Sequence, residues 1–375
     1  MSYSAIIQIC SSLIQKAVTI NLRILEMLTR SDLKQAAGWL SLELPLLGQW
    51  FVYNGSFTMP LTLKPKSKRL RTSALILSAI VLSAIAAGGY WYVFVLGAPQ
   101  LDTPPVEEVA GINFQVKSFY SEALGQQRRY GILLPPGYEK HREQRYPVIF
   151  LLHGGHGDER DYYEKAAITT TVKNLYRDQK LPASLIIMPD GNDNRGTSPF
   201  WDTDYYDGEN GKIGTYIGVD LVQEVKQQFR TIEDSHYWAM GGLSSGGWGA
   251  FNIGLRHLAR FTIFFSHTGY FMDNSGAQNS PQVFAEQIPI TDRKRIRAYL
   301  DAGEADEKYL DATRDFHTVL DRLGIYNEFY VFPGGHGIVG QNVGWNYWRT
   351  HLADSLSFVG RQFRDVQEQK NHRHF

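Results

Sequence analysis

The sequence predicts a mostly parallel α/β sheet with helices on both faces, preceded by one membrane-spanning helix. Three observations lead to this prediction. Short β-rich runs recur from about residue 112 onwards, several of them are continuously apolar, and helical patterns separate them. Parallel strands that are covered on both faces have this continuous apolar character, and the alternation of strands with helices is typical of a parallel sheet.

Eight runs are predicted as strands: NFQVKSFY, RRYGILL, YPVIFLLH, SLIIMPD, HYWAMGG, FTIFFSH, RIRAYLDAG and EFYVF. Between the fourth and fifth runs, IGVDLVQEVKQQF has the spacing of an amphipathic helix. Its apolar face consists of Ile217, Leu221, Val222, Val225 and Phe229. A second helix, WGAFNIGLRHLARF, is predicted after the fifth run. Because ligands bind at the carboxyl ends of parallel strands, functional residues are expected in the loops that gather there.

Composition narrows the class of function. The 375 residues carry 38 basic and 38 acidic side chains, so no overall field attracts nucleic acid or an acidic polymer. The single cysteine, Cys10, lies far upstream of the predicted sheet. Disulfides, cysteine-based metal sites and a cysteine nucleophile are therefore excluded from the main domain. Neither a metal nor another cofactor is predicted, and the sequence gives no oligomeric state.

An uncharged stretch at residues 73–97 is long enough to cross a bilayer as a helix. The basic run KPKSKRLRT occupies residues 64–72, and no Lys or Arg follows until Lys117. Positive charge on one flank keeps that flank in the cytoplasm, so the protein is predicted to be single-pass with its main domain outside. The small residues at 84–87 leave signal-peptide cleavage and secretion as the alternative.

The other segments are assigned by composition. Residues 1–58 form an N-terminal extension of unknown role, followed by a basic flank at 59–72. Since Met59 opens an ordinary basic leader, the extension is interpreted either as a wrongly assigned start or as a small cytoplasmic segment. Prolines and acids mark 98–112 as a linker, 113–368 forms the main domain, and 369–375 is a polar tail.

The stretch WAMGGLSSGGWG raises the question of which adjacent serine is reactive. A serine displayed on a sharp strand-to-helix turn needs very small residues two positions before and after it. Ser244 has Gly242 and Gly246 at these positions, whereas Ser245 has a leucine at one of them. Ser244 is therefore the predicted nucleophile, and the N–H of Ser245 at the helix start is expected to face a developing oxyanion. The alternative is a glycine-rich turn without chemistry.

A second loop, LLHGGHGDERDYY, follows the third predicted strand. Its His-Gly-Gly is similar to loops that supply the second oxyanion donor, for which the N–H of Gly155 is predicted. His153 and His156 could be interpreted as metal ligands. A structural role is favoured for His153, because the nearby acids fall in the start of a helix.

The base and the acid are expected downstream of Ser244. His336 lies in a glycine-rich loop after a strand, where it is free to reach another loop, so it is favoured over His267, which directly follows a strand. Asp306 lies at a loop-to-helix junction after a strand, although an aspartate there is also a suitable helix cap. Asp301 is expected to remain within the strand, where its side chain has less freedom to reach His336.

With these motifs together, residues 113–366 resemble the putative esterase family of α/β-hydrolases. The family includes feruloyl and acetylxylan esterases, S-formylglutathione hydrolase and the antigen 85 mycolyltransferases. The motifs are YPVIFLLHGG, IMPDG, FRTI, GLSSGG, DAGEAD and PGGH. The resemblance implies an α/β-hydrolase fold with Ser244 as nucleophile, Asp306 as acid and His336 as base. One departure is the insertion GIVGQNVG between His336 and Trp345, which leaves the parts of Trp345 and Trp348 open.

The predicted function is a serine carboxylesterase that forms an acyl-enzyme on an ester of a saccharide or phenolic acid outside the cytoplasm. Trp201, Tyr205 and Tyr206, in a long polar loop, are candidates for contact with an aromatic acyl group or a sugar, as is His267 at a strand end. The opposing interpretation is a surface loop that packs its own aromatic side chains. An acyltransferase of the mycolyltransferase type and a non-catalytic envelope-binding domain are the alternative functions. The expected partners are a small-molecule or saccharide ester and, through one helix, a membrane.

Overall fold

The structure, a computed structural model, describes residues 68–90, 109–196, 201–337 and 340–373. The strands in these ranges are β1 Asn113–Ser121, β2 Gln126–Leu134, β3 Val148–Leu152, β4 Leu185–Pro189, β5 Asp207–Gly208, β6 Gly211–Lys212, β7 Trp238–Leu243, β8 Ile263–His267, β9 Arg297–Gly303 and β10 Tyr326–Phe332. All eight runs predicted as strands form strands, and β5 with β6 makes a small separate hairpin.

The main sheet has the order β1-β2-β4-β3-β7-β8-β9-β10. Strand β2 pairs antiparallel with both β1 and β4, and every other pairing in this sheet is parallel. The carboxyl ends of β3, β7, β8, β9 and β10 therefore open on the same edge. The predicted α/β-hydrolase fold with a mostly parallel sheet is confirmed.

Helices from the main domain cover both faces of this sheet. In chain order the α-helices of the described residues are α1 Lys68–Tyr90, which precedes the main domain, α2 Asp161–Glu164, α3 Ile168–Arg177, α4 Ile213–Thr215, α5 Leu221–Gln228, α6 Ser245–Gly254, α7 Pro281–Phe284, α8 Ile290–Arg293, α9 Glu307–Arg322 and α10 Trp345–Arg373. A π-helical turn, Tyr216–Asp220, leads into α5, so the helix predicted at 217–229 changes its winding partway along. Helix α10 continues past residue 368, where the main domain was predicted to end.

The core consists of two apolar clusters, one on each face of the sheet. Along β3, Phe150 and Leu152 enter one cluster, while Ile149 and Leu151 enter the other. Alternate residues of a strand point to opposite faces, so a fully apolar β3 needs a cover on each side. Helices α5, α6 and α9 supply buried side chains to the first cluster, and α3 and α10 supply them to the second. This explains the continuous apolar runs in the sequence.

The N-terminal part is described only for α1. Apolar side chains along this helix, Ile80, Val81, Leu82 and Ile85, are exposed. No helix in the described ranges combines the length and the apolar character needed to cross a membrane. Residues 91–97 of the predicted anchor lie outside the described residues. So do the whole extension at 1–58 and most of the linker, and the assignments made for them stay predictions.

Candidate active site

Ser244 lies on a strained turn between β7 and α6. Its φ of 53° and ψ of −123° are a combination that residues other than glycine rarely adopt. A Cβ on Gly242 would lie 2.4 Å from the carbonyl oxygen of Gly246, and a Cβ on Gly246 would lie 2.2 Å from that of Leu152. Both positions therefore exclude any larger residue, which is the small-neighbour pattern expected around Ser244. The turn displays the Ser244 side chain at the edge where the parallel strands end.

The neighbouring serine is buried. Ser245 is the first residue of α6, its side chain has no exposure, and within the described parts of the chain its hydroxyl has no hydrogen-bond partner. Its backbone N–H belongs to the first helical turn, where no intrahelical acceptor exists. Ser245 is thus placed to offer its N–H at the helix start, and its hydroxyl is out of reach of a substrate.

The loop after β3 packs directly on this turn. A Cβ on Gly154 would lie 3.4 Å from the Cβ of Ser244, so the loop that continues into Gly155 runs beside the serine. His153 fixes the loop from below: its Nε2 accepts a hydrogen bond from the N–H of Gly191 at 2.9 Å, and its Nδ1 contacts the Gly154 carbonyl at 2.7 Å. With no exposure, His153 has the structural position that the sequence favoured.

His336 and Asp306 form a close pair above the sheet edge. The Nδ1 atom of His336 lies 2.6 Å from Oδ2 of Asp306, and the backbone N–H of His336 donates to the same oxygen at 2.7 Å. Asp306 precedes α9 but makes no side-chain capping bond to that helix, so its carboxylate serves the histidine instead. In the described part of the chain, Nε2 of His336 has no hydrogen-bond partner. One ring nitrogen is therefore fixed and the other is left for a second partner.

Tyr309 lies close to both the histidine and the serine. Its ring stacks on the His336 imidazole with centroids 4.2 Å apart. Burial raises the pKa of the Tyr309 phenol and the Asp202 carboxylate raises it further, while the neighbouring Ser244 side chain lowers it. Burial and Asp202 raise the pKa of nearby Tyr270 as well. Both phenols are therefore neutral donors at neutral pH.

The sequence reasoning missed Tyr309, Tyr270 and Asp202. A signal existed for Tyr309, since it follows Asp306 by three positions at a helix start and such residues share a helix face. Asp202 had no such signal. Its Oδ1 lies only 2.1 Å from where a Cβ on Gly155 would be, which places the carboxylate against the predicted oxyanion loop.

Two of the residues predicted to contact substrate lie in the interior instead. Tyr205 is 0% exposed and donates its hydroxyl to the His153 carbonyl at 2.8 Å, so it supports the loop after β3 from inside. His267 is 1% exposed and is enclosed by Asp301 at 2.6 Å and Ser355 at 2.9 Å. An aromatic ring in a polar loop and a histidine at a strand end both looked accessible in the sequence. Packing against other elements removes that access.

Trp201 and Tyr206 keep partial exposure. Trp201 donates its indole N–H to the Gly196 carbonyl and lies 5.1 Å from the Arg195 guanidinium, so its ring largely organises its own loop. Tyr206 packs edge-on against buried Trp248 at 6.1 Å. Across the described ranges, no three His, Cys, Asp or Glu side chains are grouped as metal ligands would be.

The open question about the two tryptophans after His336 is resolved by their contacts. Trp345 opens α10 and is buried, whereas Trp348, one turn later, meets the His336 ring edge-on at 5.3 Å. The indole N–H of Trp348 donates to Oγ1 of Thr268 at 2.9 Å. Despite the longer loop, a tryptophan, Trp348, therefore packs against His336.

The chain is similar to several known proteins. The family model described as "Putative esterase" matches residues 121–359. An endo-1,4-beta-xylanase/feruloyl esterase of Xylanibacter ruminicola is 26% identical over 233 residues, which cover 59% of this chain and 28% of that protein. An esterase of Mycobacterium tuberculosis is 24% identical over 266 residues, which cover 58% of this chain and 54% of that protein. The chain thus spans less than two thirds of either relative.

Solved structures give the same fold. A ferulic acid esterase superimposes with a TM-score of 0.60 at 24% identity, covering 67% of this chain and 99% of that one. A feruloyl esterase module from Clostridium thermocellum, solved with sinapinate, gives a TM-score of 0.54 at 14% identity over 69% of this chain and 94% of that one. The family match covers more than half of the sequence, and the resemblance seen in its motifs is confirmed. The chain therefore belongs to the "Putative esterase" family.

Proposed function

We propose that this protein is a serine esterase in which Ser244 is the nucleophile, His336 the base and Asp306 the acid that orients the base. The observation that carries the proposal is the strained conformation of Ser244 at the start of α6, together with a histidine that has one ring nitrogen held by Asp306 and the other without a hydrogen-bond partner among the described residues. Backbone strain of this kind persists where function requires it. The buried hydroxyl of Ser245 supports the choice between the two serines.

The chemistry follows the order of a serine hydrolase. His336 removes the Ser244 proton through Nε2 while the serine oxygen attacks the ester carbonyl carbon, and Asp306 keeps the other ring nitrogen protonated and correctly oriented. The imidazolium then gives its proton to the leaving alcohol as the ester C–O bond breaks. Water repeats the sequence on the acyl-enzyme and releases the acid.

The oxyanion is assigned to the N–H groups of Ser245 and Gly155. The first lies at the N-terminus of α6 and the second in the loop that packs beside Ser244. Such donors are fixed before the charge develops, and removing one commonly costs about 3 kcal/mol of barrier stabilisation. The buried His153 and Tyr205 support the loop that carries Gly155, so the donor position depends on packing beneath the site.

We propose an ester of a saccharide or phenolic acid as the substrate. The relatives named feruloyl esterase support this class, as does the aromatic lining that Tyr270, Tyr309 and Trp348 give to the site. Aromatic side chains bind both phenolic rings and the apolar faces of sugars.

We also propose that the esterase is held at the membrane with its catalytic domain outside the cytoplasm. The charge asymmetry around residues 73–97 supports this location. Protease treatment of intact cells that express a C-terminally tagged protein is the test. Loss of the tag without lysis is expected. Loss only after lysis contradicts the proposal, and release of the domain into the medium indicates signal-peptide cleavage.

The decisive experiment on the chemistry compares two neighbouring substitutions in the full chain. Ser244→Ala is expected to abolish hydrolysis of p-nitrophenyl acetate, while Ser245→Ala is expected to retain most of it, because only a backbone group of Ser245 takes part. An active Ser244→Ala enzyme contradicts the nucleophile assignment. Repeating the wild-type assay with feruloyl and acetyl-sugar esters, with and without a sugar acceptor, separates hydrolysis from acyl transfer through the products formed.

A further inference from the structure

We propose that the Tyr309 hydroxyl is a catalytic hydrogen-bond donor to the leaving alcohol, a role that deepens the proposed function and rests on it. Tyr309 lies in the first turn of α9 and is partly exposed. The ring is parallel to the His336 imidazole within 25° and stacks on it at 4.2 Å. The phenol is therefore a direct neighbour of the proposed base.

The positions of the oxyanion donors and of the base place this hydroxyl on the leaving-group side. Gly155 and Ser245 hold the carbonyl oxygen from the loop after β3 and from α6. His336 must stand next to the ester oxygen that departs, because it delivers a proton there. Since the Tyr309 ring stacks on the His336 imidazole, we place its hydroxyl next to that same oxygen.

In the free enzyme the phenol lies close enough to the Ser244 side chain for the serine to lower its pKa. When the Ser244 oxygen becomes bonded to the acyl carbon, the alkoxy oxygen of the ester lies next to the phenol, which can donate a hydrogen bond to it. As the C–O bond breaks, the leaving oxygen takes its proton from the His336 imidazolium, and Tyr309 keeps its own. Tyr309 thus lowers the charge on the leaving oxygen without a net proton transfer.

The surroundings keep the phenol in its donating form. Burial raises the pKa of Tyr309, and the Asp202 and Asp306 carboxylates act in the same direction. Lys308 is the cation on the same helix turn, with its Nζ 5.6 Å from the ring centroid. The raised pKa means that the neutral phenol persists through neutral pH.

The test measures kcat/KM, which reports acylation, for acetate esters whose leaving groups run from p-nitrophenol to a simple alkanol. Tyr309→Phe retains the ring that stacks on His336 and removes only the hydroxyl. We expect a loss of about tenfold for the alkyl ester and less than about threefold for the p-nitrophenyl ester, because a poor leaving group depends most on a hydrogen bond. The dependence of rate on leaving-group pKa becomes steeper in the variant.

A matched control is Tyr330→Phe, which removes a hydroxyl from the exposed strand β10 and is expected to leave all rates unchanged. Equal losses for every ester in Tyr309→Phe, or no loss, overturn the proposal, since a purely structural role does not distinguish leaving groups. The unfolding midpoint of each variant verifies the fold. An active Ser244→Ala enzyme defeats the proposed function itself, so the two failures are distinguishable.

Discussion

Two histidine–aspartate pairs of equal length lie within this domain. His336 and Asp306 meet through Nδ1 and Oδ2 at 2.6 Å, and His267 and Asp301 meet through the same atoms at the same distance. The second pair is the more complete, because Nε2 of His267 also has a serine, Ser355, at 2.9 Å. By hydrogen bonds alone, the buried set is the better Ser–His–Asp triad.

Their environments differ in every respect that catalysis needs. The side chain of His336 is 25% exposed, whereas His267 and Ser355 are 1% and 0% exposed. Ser355 lies within α10 in a regular helix, while Ser244 is held at positive φ at a helix start. A hydrogen-bonded chain therefore does not define an active site. Access, a displayed nucleophile and nearby N–H donors do.

The largest expected effect contrasts the two acids. Asp306→Asn is expected to lower kcat by about 10⁴, because an amide no longer selects the His336 tautomer or stabilises the imidazolium. Asp301→Asn is the matched change in the buried pair, and its kcat per folded molecule is expected to remain within a few-fold of wild type. Steady-state hydrolysis of p-nitrophenyl acetate measures both. The opposite ranking would move the acid assignment to Asp301.

The next largest effect is on the free energy of unfolding. Here the buried His267–Asp301 pair is expected to matter more than the His336–Asp306 pair. Among the described residues, His267→Leu leaves the buried Asp301 carboxylate with the Tyr347 hydroxyl as its remaining side-chain hydrogen-bond donor, at 2.9 Å. Removing one partner of a buried pair typically costs about 3–5 kcal/mol of unfolding free energy. His336→Leu, on a partly exposed ring, is expected to cost much less while abolishing activity. Urea unfolding followed by fluorescence checks both variants, and equal stability losses would contradict the distinction.

All eight strands could be predicted from the sequence. The inner strands are continuously apolar because the sheet is covered on both faces, whereas the partly exposed edge strands β1 and β10 were recognised by their β-rich composition. The sequence also separated Ser244 from Ser245 because the close approach of Leu152 requires glycine at fixed spacings. The enclosure of His267 by α10 could not be predicted from the sequence, because that contact joins segments far apart in the chain. The prediction that Tyr205 contacts substrate was wrong for a similar reason. The polarity of a loop does not indicate which of its aromatic rings packs into the interior.

A smaller effect concerns the serine of the buried set. Ser355→Ala removes the partner of a buried imidazole nitrogen, and an unsatisfied buried polar group costs about 1–3 kcal/mol. The unfolding free energy is therefore expected to fall by that amount, with kcat unchanged because Ser355 has no access to substrate. Ser357→Ala on the same helix, whose hydroxyl donates only to the Ala353 carbonyl, is the control. A Ser355→Ala enzyme with lost activity and normal stability would make the buried set functional.

The smallest expected effect concerns the hydrogen bond between Trp348 and Thr268, which links the His336–Asp306 pair to the buried His267–Asp301 pair. Trp348 meets His336 edge-on and donates its indole N–H to Thr268, whose own N–H donates to the Asp301 carbonyl. Trp348→Phe and Thr268→Val each remove this one hydrogen bond and keep most of the shape, so each is expected to cost about 1 kcal/mol, or roughly fivefold in kcat. Since both delete the same contact, the double variant is expected to lose no more than either single one. Thr268→Ser keeps the acceptor and should retain wild-type kcat. Additive losses in the double variant would show that Trp348 and Thr268 affect kcat independently of the hydrogen bond between them.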